Sequence, residues 1–319
     1  MSGPWRTWRP AIRQAFVSAL TRLAARDERI ILLTGDLGFT VVEPFAEQFP
    51  SRFINVGVAE QNMLGIATGL AEAGYIPFAY SIATFATLRP LEFFRNGAAL
   101  HRFPVRVIGI GAGFEYGTAG FSHHAVEDVA VMRALDTVRV IAPADGMQAA
   151  AALEQTWALP EPIYYRVSKN DRLTIPALQG RFRPGRVELL ADGGQVLVLT
   201  LGAASIEGER AVSKLGEGGI AAGWGIVADV GPASTDALLA LLMRYRHVAT
   251  VEAHVASGGL SAFVAELIAE HRLDCQLIRC GAQTQFLREN GSEAYLMRRH
   301  GLTGEQIATR IHAVLDRTA

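Results

Sequence analysis

The sequence predicts an α/β protein built as two doubly wound α/β domains, and three observations carry that expectation. Runs with strand character alternate with runs of helical apolar spacing along almost the whole chain. The strand runs are nearly continuous in apolar residues, as parallel strands covered on both faces should be. The alternation breaks over residues 171–186, where Pro176, Gly180, Pro184 and Gly185 mark a linker. The expected domains are residues 1–175 and residues 187–319, each within the ordinary size of a domain.

In order, residues 11–26 carry Ile12, Phe16, Leu20 and Leu23 at helical spacing. IILLTGDLG follows as a buried strand ending in a glycine-rich turn, then RFINVG as a strand and a helix from Glu60. YIPFAYSI is a strand and residues 84–100 a helix; PVRVIGIGAG is a strand running into a loop. A helix over 127–135, the strand VRVIAPA, a helix over 145–157 and the strand PIYYRVSKN complete the first block. In the second block QVLVLTLG, IAAGWGIVADV, HVATVEAHV and CQLIRC read as strands, and 206–215, 237–245, 259–269 and 301–315 as helices. No sequence repeat relates the two blocks. Ligands on such sheets bind beyond the carboxyl ends of the strands. Glu60, Phe85, the 111–123 loop and Arg166 all follow strands and are expected to converge there.

The bulk numbers are those of a globular protein: 319 residues, 50 % apolar and 19 % charged, with a net charge of −1. That balance gives no general attraction to nucleic acid or to an anionic membrane. The apolar runs fall well short of the roughly 18 residues needed to cross a bilayer. The N-terminal segment is basic, interrupted by Pro4 and Pro10, and lacks an apolar signal core, so a cytoplasmic location is expected. Cys275 and Cys280 share one strand-like run at an offset of five, on opposite faces, so buried thiols are expected rather than a disulfide or a metal pair. No HExxH, paired CxxC or P-loop pattern appears.

The most informative stretch covers residues 55–70, NVGVAEQNMLGIATGL, where Glu60 stands alone among apolar and small residues. A partly desolvated carboxylate there favours sharing a proton with a nitrogen base; an acid at a helix start also suits the helix dipole. The longer string GVAEQNMLGIATGLAEAGY resembles the pyrimidine-binding domain of transketolases and deoxyxylulose-phosphate synthases. The resemblance extends over nearly the whole chain. The first block looks like that domain, and the second resembles the family's C-terminal domain through the turn VEAHVASGGL.

The resemblance implies thiamine diphosphate chemistry and assigns roles residue by residue. Glu60 falls where the family's acid hydrogen-bonds N1′ of the aminopyrimidine, driving the tautomer that makes the cofactor's own imino group basic. Phe85, in SIATFATLRP, matches the aromatic that stacks on the aminopyrimidine; a second family aromatic three residues earlier is here Ile82. Asp36 resembles the family's acid near the thiazole. GTAGFSHHAVED places His123 at the histidine that faces substrate, with His124 beside it. Ala119 stands where transketolases usually carry an aspartate that binds a donor hydroxyl, which leaves the donor open and keeps pyruvate possible. Arg166 and Lys169 fall at the family's phosphate- or carboxylate-binding cations. Glu252 and His254 are expected to shape a subunit contact.

The GDG motif with a following Asn, through which the family holds Mg²⁺ and the diphosphate, is missing; GDLG, ADGM and ADGG are the nearest strings. The resemblance therefore implies that a diphosphate-binding partner subunit supplies the metal and the other half of the site. The leading expectation is the small subunit of a split transketolase-like enzyme that moves a two-carbon ketol or acyl unit from a keto donor to an aldehyde acceptor, with sugar or sugar-phosphate substrates. The alternatives are the β subunit of a 2-oxo acid dehydrogenase and a non-catalytic subunit; retention of Glu60, Phe85 and His123 together argues against the last. An α₂β₂ assembly is expected, the small subunits packing through their second domains.

Overall fold

The computed structural model describes residues 12–170 and 173–318. The N-terminal segment, expected to lack a signal core, lies outside the described residues. The chain folds around two sheets. The first is built from β1 (Ile30–Thr34), β2 (Phe53–Asn55), β3 (Ile76–Ile82), β4 (Arg106–Ile110), β5 (Arg139–Ile141) and β6 (Ile163–Val167). All are parallel, in the order β2-β1-β3-β4-β6-β5. Strands β1, β4 and β6 are buried at every residue, which is why, Thr34, Arg106 and Arg166 apart, their sequences run through apolar residues, Tyr and Gly rather than alternating with polar ones. Helices α1 (Ile12–Ala24), α2 (Glu43–Gln48), α3 (Glu60–Glu72), α4 (Ala83–Leu88), α5 (Leu91–Phe94), α6 (Asp128–Arg133) and α7 (Gly146–Thr156) accompany this sheet.

The second sheet contains β7 (Glu188–Ala191), β8 (Val196–Thr200), β9 (Ala222–Ile226), β10 (His247–Val255) and β11 (Gln276–Ala282) in the order β11-β10-β8-β9-β7. Its helices are α8 (Ser205–Glu217), α9 (Thr235–Leu242), α10 (Leu260–Glu270), α11 (Glu293–Arg299) and α12 (Gly304–Thr318). Four strands are parallel; β7 pairs antiparallel with β9 at the edge. The sequence reading did not foresee β7, α2 or α11, which are four, six and seven residues long and too short to display a period. Cys280 is buried and Cys275 half-buried, and both are free thiols.

The run expected as one helix over 84–100 is divided. Helix α4 stops at Leu88, α5 starts at Leu91, and residues Arg95–Ala99 form a π-helical turn. Pro90 lies at the break, where it offers no N–H and its ring opposes the carbonyl four residues back. At the start of α4 the chain lies close on β4: a Cβ at Gly109 would stand 2.9 Å from Ala83 Cα and 2.6 Å from the Tyr164 hydroxyl. Glycine at that position thus lets the helix carrying Phe85 pack directly on the sheet.

The two sheets share one apolar core, to which Leu33, Met63, Val107 and Tyr164 contribute from the first and Leu197, Leu199 and Val248 from the second. The backbone joins them as well. Ala142 N–H donates to Ala228 O (2.7 Å) and Val230 N–H to Val140 O (2.9 Å), so the edge strand β5 is covered by the second domain. Among the described residues no helix is long and apolar enough to cross a membrane.

Candidate active site at the strand ends of the first sheet

Five carboxyl-terminal strand ends build the site. After β1 the chain turns through Asp36 in the left-handed region (φ 59°), which Asp tolerates better than most residues. Asn55, the last residue of β2, holds that turn. Its amide donates to Asp36 Oδ1 (3.0 Å), and its Oδ1 accepts from the N–H groups of Asp36 and Gly57 (3.0 Å each). Asn55 thereby ties the turn after β1 to the turn that leads into α3.

Glu60 is the first residue of α3 and is buried, 2 % exposed, although Val58 two residues before it is 72 % exposed. Its carboxylate accepts a hydrogen bond from Ser81 Oγ on β3 (3.0 Å) and an ion-paired one from Arg89 Nη1 (2.8 Å). The Arg89 guanidinium also lies over the Phe85 ring, 3.9 Å from its centroid. Phe85 in turn meets the His123 ring, with centroids 5.0 Å apart and planes at 70°. Glu60, Arg89, Phe85 and His123 therefore form one continuous series of contacts across the strand ends.

His123 ends a short 3₁₀ turn, Phe121–His123, in the loop after β4, and its Nδ1 pairs with Ser122 Oγ at 3.0 Å. The loop leaves β4 through Gly111 (φ 82°), where a Cβ would fall 2.0 Å from a Tyr116 ring carbon. The Tyr116 ring sits 6.3 Å from that of His123, and Lys169 Nζ lies 3.8 Å over Tyr116. Lys169 thus approaches His123 by way of Tyr116. Beneath them Glu115 is buried, accepting from Ser168 Oγ (2.5 Å) and Lys169 N–H (2.6 Å). Burial, reinforced by the nearby Glu293, pushes the Glu115 carboxyl up to about 8.

Two of the expected substrate-facing residues point elsewhere. Arg166 is buried and donates from Nε to Asp128 Oδ2 (2.7 Å) and from Nη2 to Ala125 O (2.8 Å) and Ala253 O (3.0 Å). Tyr164 donates to the same Asp128 oxygen (2.6 Å). Burial raises the Asp128 carboxyl, but the charges of Arg166 and His254 and the hydrogen bonds from Arg166 and Tyr164 together outweigh it and hold the group below the usual carboxylate range. Arg166 therefore commits its donors to a buried pair that also reaches the second domain. One wall of an interdomain cleft of about 830 Å³ includes Arg166, Asn170, Arg210 and Glu293, but not Glu60, Phe85 or His123. His124 is likewise buried, and packs edge-on against Phe114, whose other neighbour is His300, stacked at 4.5 Å. Burial lowers the His124 ring below the ordinary histidine range and takes His300 down to about 4, so both are neutral near neutral pH.

Glu252 and His254, expected at a subunit contact, are wholly buried within the chain. Glu252 accepts from the N–H groups of Leu260 and Ser261 at the start of α10, and His254 Nε2 accepts from Ala130 N–H of the first domain (3.3 Å). Ile82, at the position of the family's second aromatic, ends β3, and Ala119 is exposed in a 3₁₀ turn. Among the described residues no cluster of three or more His, Cys, Asp or Glu could hold a metal. Sequence reasoning missed Ser81, Arg89, Asn55 and Tyr116. Arg89 had one readable signal: it stands four residues after Phe85, on the same face of a helix.

Comparison with known proteins identifies both domains. Residues 9–172 match the transketolase pyrimidine-binding domain, and residues 185–307 the transketolase C-terminal domain. The chain is 34 % identical over 96 % of its length, and 95 % of the relative's, to the 6-deoxy-6-sulfo-D-fructose transketolase subunit SqwH of a Clostridium species. It is 29 % identical to an apulose-4-phosphate transketolase subunit of Actinobacillus succinogenes, over 83 % of this chain and 86 % of that one. Among solved structures, a split-gene transketolase described as an inactive β4 tetramer superposes with a TM-score of 0.87 at 32 % identity, over 96 % of this chain and 99 % of that one. This chain, made of a pyrimidine-binding and a C-terminal domain, belongs to the transketolase family.

Proposed function

We propose that the chain is the smaller subunit of a split, thiamine diphosphate-dependent transketolase and contributes the pyrimidine half of its active site. The observation that carries this reading is the buried Glu60 carboxylate linked to the Phe85 ring through Arg89, which donates to the one and lies over the other. The residues fit the aminopyrimidine by their chemistry. Glu60 is a buried acceptor whose present partners are two side chains, a rotatable hydroxyl and a partly exposed guanidinium, so an N–H donor can take the place of one of them. Phe85 offers an aromatic face, and the Asp36–Asn55 turn closes the wall next to Gly35, whose Cβ position lies 3.7 Å from Glu60 Oε1.

When bound, the cofactor supplies the nucleophilic carbon that carries the transferred two-carbon unit. The residues of this chain do the rest on this side. Glu60 holds N1′ and sets the tautomer of the ring. Phe85 stacks on the ring and keeps water off it. His123 stands beyond Phe85 and exchanges protons with substrate oxygens, while Lys169 supplies a cation for a phosphate or carboxylate. Arg166 and His124 contribute by fixing the loops that carry Lys169 and His123. Mg²⁺ and the diphosphate fall to a partner that carries the GDG element, in an α₂β₂ assembly in the cytoplasm. The substrates are a keto donor and an aldehyde acceptor of the sugar or sugar-phosphate class. The relatives support the split arrangement through their names as subunits, and the structural neighbour through its description as a split-gene transketolase in an inactive β4 tetramer.

Glu60→Gln in the complex with the partner tests the reading. Ketol transfer should fall by about 10²–10⁴-fold while the chain stays folded. Retention of more than about a tenth of the rate would remove Glu60 from the role.

A further inference from the structure

We propose that Arg89 is a placeholder for the aminopyrimidine: it occupies the cofactor's two contacts on this chain and must leave when the cofactor binds. The inference rests on the assignment of Glu60 and Phe85 above. The two groups that would receive the ring are the Glu60 carboxylate and the Phe85 face, and Arg89 uses both at once. Its Nη1 donates to Glu60 Oε2 at 2.8 Å, and its guanidinium carbon stands 3.9 Å from the Phe85 centroid. A guanidinium is a flat, delocalised cation with N–H donors in its plane, suited to bond a carboxylate while stacking on an aromatic ring. A flat aminopyrimidine that donates N1′–H to Glu60 and stacks on Phe85 has the same shape and the same hydrogen-bond demand. Two flat groups cannot share those positions, so binding exchanges one for the other.

The position of Arg89 suits a group that must move. Its side chain is 44 % exposed, whereas Glu60 is 2 % exposed. The guanidinium therefore has solvent on its outer side and a way out. Arg89 lies between the end of α4 and the start of α5, next to Pro90, so its backbone is not held within a continuous helix. Among the described residues its ion pair is with Glu60 alone. The exchange has two consequences. The charge on Glu60 stays compensated while the chain waits for its partner, which avoids a buried lone carboxylate. The cofactor must also displace an interaction of similar kind, so Arg89 lowers cofactor affinity and adds a step to its entry.

The test is titration of thiamine diphosphate–Mg²⁺ into the reconstituted two-subunit complex by calorimetry, comparing wild type with Arg89→Met and Arg89→Lys. Arg89→Met should bind the cofactor about 5–30-fold more tightly, since a stacked, partly exposed ion pair no longer has to be broken. Arg89→Lys, which keeps the charge without the flat stack, should fall between the two. The isolated Arg89→Met chain should melt at a lower temperature, because Glu60 has lost its cation. Glu60→Gln separates this inference from the one beneath it. Cofactor affinity that ignores both Glu60→Gln and Arg89→Met overturns the site assignment and the placeholder with it. Affinity weakened by Glu60→Gln but unchanged or weakened by Arg89→Met overturns the placeholder alone.

Discussion

Glu60 in the first domain and Glu252 in the second are both buried glutamates beside a helix start, and they are held in opposite ways. Glu252 is fully buried, and its two oxygens accept from the backbone N–H groups of Leu260 and Ser261, at 2.8 Å each. Those donors are fixed, and they belong to the positive end of α10. A Cβ at Gly259 would lie 2.1 Å from Glu252 Oε2, so the fit leaves no room for anything else. Glu60 is nearly as buried, but its partners are a hydroxyl that can rotate and a guanidinium with solvent behind it. Burial alone therefore does not separate a structural acid from a chemical one. The distinction lies in whether the partners can be exchanged.

The comparison can be broken by swapping the expected phenotypes. Glu60→Gln should remove turnover and spare the fold. Glu252→Gln should do the reverse. It loses two charge-assisted bonds at a helix start, costing about 1–3 kcal/mol of stability, with cofactor affinity in the complex unchanged. Chemical denaturation read beside cofactor titration checks both; a stable Glu252→Gln chain with weakened cofactor binding would erase the distinction.

A smaller effect sharpens the comparison on the substrate side. His123 touches Phe85 but lies outside the carboxylate's own contacts. His123→Ala should lower the rate by about 10–100-fold, below the upper range for an acid–base group, and leave cofactor affinity nearly unchanged. Steady-state kinetics beside cofactor titration gives the answer. Lost affinity with an unchanged rate would move His123 from substrate to cofactor.

The difference between the two glutamates was partly legible in the sequence. The alternation of strands and helices was plain because the buried strands carry few polar residues and show no polar alternation. Glu60 and Phe85 were singled out by two short strings, each contiguous in the sequence and needing no knowledge of folding. What the string could not convey is who shares a site across the chain. Ser81, Arg89 and Asn55 meet their partners across sequence separations of 21, 29 and 19 residues, and Arg166 meets Asp128 across 38. Arg166 was expected to follow a strand as an anion-binding residue would; it lies within β6, one residue before its end, and only packing shows that Asp128 takes its charge. Glu252 misled for a related reason: a charged residue in a glycine-rich turn reads as surface until the helix it caps is in place.

The central claim is that this chain holds one half of a divided site, and calorimetry of thiamine diphosphate–Mg²⁺ tests it most directly. On the proposed reading the isolated chain supplies Glu60 and Phe85 for the ring, and its sequence lacks the GDG string with a following Asn that would hold the diphosphate's metal. Titration into the chain alone should show no binding in the micromolar range, and titration into the chain mixed with its GDG-bearing partner should show saturable binding at one cofactor per pair of subunits. Micromolar binding by the isolated chain would contradict the account.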